Sequence, residues 1–194
     1  VLSVASIALL NLDLGFLRPL YERVASDTLQ REVRIEGPLS VRLGATLTIS
    51  ANQIDVADRT PNAASLATID GLEIHLDLKL LLDNHIHIPF VAIRGASVRL
   101  EIDDDGQGNW PELDGDSDPS DAIGYALRVA EGQVDAFQLQ LRNRSTDRDL
   151  ELDSKTLRSF QRDKSVQLSG AGTLNKRPFD TTLSLNNVAS LLEV

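Results

Sequence analysis

The chain of 194 residues contains no cysteine and no methionine. Without cysteine there is no disulfide framework, no thiolate nucleophile and no thiolate metal ligand. The absence of methionine extends to position 1, which predicts that translation starts upstream of Val1. Aromatic residues make up only 4%, so an apolar cavity in this protein is lined by aliphatic side chains. Basic residues are outnumbered, with 19 Lys and Arg against 29 Asp and Glu and a net charge of −10. Such a surface repels phosphates and argues against nucleic acid as a partner. It equally disfavours electrostatic docking on anionic lipid. A full-length membrane-spanning run is also missing. Val1–Leu10 is apolar except for Ser3 and Ser6, yet a spanning helix needs roughly 20 apolar residues. This stretch reads either as a strand or buried helical turn, or as the trailing half of an anchor whose exit is Asn11–Gly15.

What the chain has is alternation. From Leu72 to Leu80 every second residue is apolar, with Glu73, His75, Asp77 and Lys79 between. A period of two puts the leucines on one face and the charges on the other. The pattern recurs at Val33–Ile35, Leu39–Leu43, Leu47–Ala51, Ile86–Phe90, Val98–Ile102, Phe137–Leu141, Leu150–Leu152, Val166–Leu174 and Phe179–Leu185. Ile54 and Val56 fall out of phase with Ala51, which predicts a bulge near Asn52–Gln53. Phe16–Gln30 instead has helical spacing, with Leu17, Leu20, Tyr21, Val24 and Thr28 on one side. The expectation is a mainly β protein. One amphipathic helix precedes nine or ten strands in a long antiparallel sheet with one apolar face. One helix cannot cover that face. Either the strands cover one another, as in a sandwich, or something else fills the concavity.

Four units follow. Residues 1–15 form the apolar N-terminal segment. Residues 16–111 hold the helix and a first β unit. Residues 112–121, the most polar stretch, form an acidic linker. Residues 122–194 form a second β unit, with a final helical turn within 183–192.

Chemistry-bearing groups are few. His85 and His87 share the polar side of an alternating run, but two ligands do not make a zinc site, and they read as a solvated pair. Asp103–Asp105, with Asp114, Asp116 and Asp118 beyond, has the composition of a calcium loop. The EF-hand spacing fails from either start, because the fourth and fifth positions from Asp103 are Gly106 and Gln107 and no Glu closes a loop begun at Asp114. These read as solvated acidic loops, and no metal or other cofactor is expected. There is no Gly-x-Ser-x-Gly elbow and no phosphate-cradling glycine loop. Gly170-Ala171-Gly172 reads as tight packing within a strand. The reading is therefore not an enzyme.

Three stretches carry a resemblance. The first is Arg31-Glu32-Val33-Arg34-Ile35-Glu36-Gly37-Pro38-Leu39-Ser40-Val41-Arg42-Leu43, following a helix and an apolar N-terminus. The second is Gly95-Ala96-Ser97-Val98-Arg99-Leu100-Glu101, ending at Gly106-Gln107-Gly108-Asn109-Trp110. The third is Gly170-Ala171-Gly172-Thr173-Leu174-Asn175-Lys176-Arg177-Pro178-Phe179-Asp180. Together they resemble the N-terminal region of AsmA-like proteins of the Gram-negative envelope, over nearly the whole chain. The resemblance implies a single N-terminal anchor in the inner membrane, of which residues 1–15 are the C-terminal part, with the bulk in the periplasm. It implies a curved β-groove related to chorein-type, bridge-like lipid-transfer proteins. The groove's apolar inside would bind phospholipid or another acyl lipid and conduct it toward the outer membrane, supporting outer-membrane assembly. The residues expected to line the groove are Leu72, Ile74, Leu76, Leu78, Val98, Leu100, Phe137 and Leu139. The alternative is a scaffolding module that docks an envelope protein partner through exposed strand edges, without lipid transport.

Overall fold

The structure is a computed structural model that describes residues 11–13, 15–44, 46–60, 63–82, 85, 87–110, 129–162 and 165–186. The apolar run 1–10 and the acidic segment 112–121 lie outside the described residues. Of the helical turn expected within 183–192, residues 183–186 belong instead to the last strand, while the rest lies outside the described residues.

The expected architecture is present. Among the described residues ten strands form one sheet: β1 (Asn11–Asp13), β2 (Val33–Ile35), β3 (Leu39–Leu43), β4 (Thr46–Val56), β5 (Ala67–Asp77), β6 (Ile88–Ile102), β7 (Val129–Asn143), β8 (Arg148–Arg162), β9 (Ser165–Leu174) and β10 (Arg177–Asn186). The spatial order is β1-β3-β4-β5-β6-β7-β8-β9-β10, with β2 also on β4. The sheet is long, open and curved, and it runs through the strands on both sides of the acidic segment. Every pairing is antiparallel except β6–β7, which is parallel in register from Ile88↔Val129 to Ile102↔Asn143. The expected all-antiparallel sheet is therefore mixed. A parallel pair needs a connection that returns to the starting end. The chain reverses at Asp103–Gly106, where Asp103 Oδ1 accepts from the amides of Asp105 and Gln107, but this tight turn leads only to an isolated bridge, Ile102↔Gly108.

A fold line crosses the sheet. Asn52↔Gly71 and Ile54↔Ile69 are paired, so Gln53 lies opposite Asp70. By the same register Asp70 faces Gly95, Gly95 faces Ala136, and Ala136 faces Lys155, yet none of these residues makes its ladder pair. Gln53, Gly95 and Ala136 have φ of 52°, 59° and 54°. The Asn52–Gln53 bulge read from sequence is thus one member of a row. The row continues to the break between β2 and β3, where the amides of Glu36 and Gly37 donate to Gln53 O and Asn52 O. Bulged residues bend a strand and slip its side-chain phase. Here β4 to β8 slip together, so apolar residues three apart flank the line: Ala51 and Ile54, Ile69 and Leu72, Ile93 and Ala96, Val134 and Phe137.

The buried core is local. Val33, Ile35, Leu39, Ala51, Ile54, Val56 and Leu66 form it, with Tyr21 and Ala25 of helix α1 (Arg18–Leu29) packed against them. Helix α1 also completes β2. Ser26 Oγ accepts from Val33 N at 2.9 Å and Glu22 Oε1 from Ile35 N at 2.7 Å, satisfying donors that an edge strand would expose. This rotation corrects the expected helix face. Leu20 and Val24, placed on the buried side with Tyr21, are 54% and 57% exposed.

The strand read through Leu80 ends earlier, at Asp77. Leu78–Leu82 is a short helix, α2, because Asp77 Oδ1 accepts from the amides of Lys79 and Leu80 as an N-cap. His85 and His87 then precede β6 rather than sharing a strand face, and both are exposed. The tight-packing reading of Gly170-Ala171-Gly172 holds. A Cβ on Gly170 would meet Leu157 Cδ2 at 2.5 Å, and one on Gly172 would collide with Asp153 O.

Candidate functional site: an uncovered apolar face

Residues directly opposite one another in a ladder share a face, so the registers can be followed across the sheet. One row reads Ile49, Ile74, Val91, Gly132, Ser159. The next reads Ala51, Leu72, Ile93, Val134, Leu157. Beyond the fold line come Ile54, Ile69, Ala96, Phe137, Ser154, and then Val56, Ala67, Val98, Leu139, Leu152. Leu100, Leu141 and Leu150 add a partial row nearer the rim. No charged residue interrupts these rows. Charges occupy the opposite face, with Glu73, Arg94, Arg99 and Arg158 as examples.

Seven of the eight residues expected to line the groove therefore share one face: Leu72, Ile74, Leu76, Val98, Leu100, Phe137 and Leu139. Leu76 joins through its pairing with Leu47. Leu78 does not belong to the rows, because it opens α2. Sequence reasoning missed Val91, Ile93, Val134 and Leu157. Their phase is opposite to that of the apolar residues beyond the fold line in the same strands, so a single alternation could not collect both sets. Phe90 shows the converse. It alternates with Ile88, yet it pairs with His75 on the charged face, with ring centroids 5.0 Å apart. There His75 Nε2 lies 2.6 Å from Glu73 Oε1.

Exposure separates the two ends of this face. Over β2 to β4 the residues next to α1 (Val33, Ile35, Leu39, Ala51, Ile54 and Val56) are buried, while Leu43, Leu47 and Ile49 are half-buried. From β5 to β8 only Ala96 and Ser154 are, and Leu72, Ile74, Leu76, Ile93, Val98, Leu100, Val134, Phe137 and Leu139 are half-buried. Toward β10 exposure rises at Leu168, Leu174 and Leu183, reaching 51% at Leu183, while Val166 on the same face stays buried. Among the described residues no second sheet lies on this face. Periodicity alone cannot tell a sandwich from an open groove, and the topology favours the groove. Four inter-strand steps of ~4.8 Å carry the rows about 19 Å from β4 to β8. That compares with the ~15 Å occupied by one leaflet's acyl chains in a bilayer core of ~30 Å.

Ser154 is fully buried in this wall, its Oγ 3.1 Å from Ala171 O and 3.2 Å from Thr156 O. A hydroxyl can donate to one of these at a time, and it supplies the partner that the bulge at Lys155 removes from the ladder.

A second concavity, of about 1130 Å³, opens at the rim where the β4–β5 loop, the turn after β6 and the β9–β10 turn meet. It is lined by both signs of charge, including Arg59, Arg99 and Lys176 with Glu101 and Glu151. The Arg144 guanidinium there pairs with Glu101. Leu100, Leu141 and Leu150 also line it, so this mixed-charge rim adjoins the last partial row of the apolar face. Among the described residues, no three His, Asp or Glu side chains are grouped to hold a metal ion, and no helix is long and apolar enough to cross a membrane.

No curated protein matches the chain. The sequence profile described as the AsmA family matches residues 1–189, which takes in the helix and every strand of the sheet. The open curved sheet and that match agree with the three stretches that carried the resemblance, and the chain belongs to the AsmA family.

Proposed function

We propose that this protein binds acyl lipid on the uncovered apolar face and conducts phospholipid along it toward the outer membrane, supporting outer-membrane assembly. In this reading it is anchored in the inner membrane by its N-terminal segment and its sheet lies in the periplasm. It works by binding and passage, with no covalent step. The observation that carries the reading is the set of charge-free, mainly apolar rows that cross five strands with no covering layer among the described residues. AsmA family membership supports an envelope, lipid-related role. Each methylene moved from water into such a face contributes about 0.8 kcal/mol, so one acyl chain binds without any polar contact.

Native mass spectrometry of the purified chain, with lipid extraction, tests the reading. Phospholipid bound at a defined stoichiometry is the expected result, and its loss in Leu76→Asp with the fold intact is expected with it. A lipid-free, stable wild type overturns lipid binding. The edges that β1 and β10 form among the described residues would then make a protein partner added by strand pairing the next reading.

A further inference from the structure

Helix α1 is amphipathic on two sides. Its inner side, Tyr21, Glu22, Ala25 and Ser26, is occupied by the core and by β2. Its outer side carries Phe16, from the preceding turn, with Leu20 and Val24. They follow one another at four-residue spacing and are 75%, 54% and 57% exposed. Residues four apart stack on one helix face, so the three form an apolar stripe pointing away from the protein. Arg23 and Asp27 flank it and are also exposed. The stripe does not contribute to the fold.

We infer that this stripe lies in the headgroup–acyl boundary of a lipid bilayer, so that α1 rests on the membrane as an interfacial helix. The inference builds on the proposed membrane anchoring and adds a contact that the anchor does not supply. Two features of the chain identify lipid as the occupant. Val1–Leu10, apolar except for Ser3 and Ser6, ends only six positions before Phe16, which places the stripe next in the chain to its most membrane-compatible run. In addition, the inner side of α1 closes the apolar face at its β2–β4 end, so a bilayer beneath the outer side adjoins the place where that face begins. The flanking Arg23 can keep its guanidinium among headgroups while its stem covers apolar surface. The contact is apolar rather than electrostatic. Arg18 and Arg23 are balanced along the helix by Glu22 and Asp27, and the chain as a whole carries −10. Binding therefore depends little on anionic lipid or on salt, unlike that of a basic amphipathic helix.

The absence of native cysteine gives a direct test. Val24→Cys and Leu20→Cys, in the full chain, are labelled with bimane. The protein is then floated with vesicles of phosphatidylethanolamine containing 0 or 30% phosphatidylglycerol. Lipids brominated at shallow and deep acyl positions serve as quenchers, and a label at Lys155→Cys, far from α1 on the fold line, is the reference. The expected result is quenching at positions 20 and 24 by the shallow bromine, none at 155, and less than a twofold change with phosphatidylglycerol or 0.3 M salt. Leu20→Glu with Val24→Glu should lower partitioning at least tenfold while leaving the melting temperature unchanged. Protein that floats with both α1 labels unquenched overturns the inference, and so does protein that stays in the aqueous fraction. Bound acyl lipid is read separately by mass spectrometry, so the groove reading and the interfacial helix can fail independently.

Discussion

At the scale of single residues, the fold line concentrates the unusual backbone. Gly95 sits there at φ 59°, and a Cβ on it would collide with the Asp70 carboxylate opposite. Both effects oppose any side chain. Gly95→Val is expected to cost at least the 1–3 kcal/mol of a strained backbone residue, read as a lower urea midpoint with an unchanged slope. Gly106 has φ 83° but open space around its Cα, so Gly106→Asn should cost no more than about 1 kcal/mol, since Asn tolerates the left-handed region. Ala136 occupies the same row as Gly95 with φ 54° and no glycine to relieve it. Ala136→Gly should relieve roughly 1–2 kcal/mol of strain and lose about 0.4–1 kcal/mol to unfolded-chain entropy. The expected outcome is a slightly more stable protein, by about 0.5 kcal/mol. A destabilised variant in the same urea titration would show that the left-handed turn at 136 carries no strain.

At the scale of elements, α1 shows what periodicity conveys and what it does not. Its existence and extent are legible from the 3.6-residue spacing. Its rotation is not, because Leu20 and Val24 are more apolar than the Tyr21 and Ala25 that are buried. The rotation is set by Glu22 and Ser26 reaching the amides of β2, a contact 7 to 13 residues away along the chain that no apolar pattern encodes. In thermal denaturation Tyr21→Ala should cost about 2–3 kcal/mol, somewhat less than a fully buried aromatic, whereas Leu20→Ala should stay within about 0.5 kcal/mol. The β5–α2 boundary was hidden for another reason. Leu78-Lys79-Leu80-Leu81-Leu82 fits a strand period at its start and a helical turn throughout, and only the capping carboxylate of Asp77 decides between them.

At the scale of the whole molecule, one face of the sheet is a core at one end and open at the other. Substitutions should divide accordingly. Ile54→Asp places a charge in the buried cluster under α1 and should unfold the protein, the cost of an unpaired buried charge exceeding several kcal/mol. Leu139→Asp places the same charge on the half-buried stretch and should leave a cooperative melt while abolishing bound lipid in native mass spectrometry. If both variants unfold alike, the face is closed along its length. The strands and their apolar face were legible because alternation is local. The fold line was visible only as the isolated slip at Asn52–Gln53, since the matching slips in β5 to β8 acquire meaning only when the registers place Gln53, Asp70, Gly95, Ala136 and Lys155 in a row. The parallel β6–β7 joint left no trace in the pattern, because the residues between those strands have no period.

The row also limits how the molecule can change length. A residue inserted in a single strand on either side of it would turn that strand's leucines outward and pull its unpaired residue out of line with both neighbours. Insertions in pairs would preserve the faces, but only if adjacent strands lengthened on the same side. The turns at Arg144–Asp147 and Asn175–Lys176, at the rim, are free of both constraints. Tags, fluorophores or whole inserted domains therefore belong there. A deeper groove could be engineered in steps of two residues per strand, taken across β4 to β8 together.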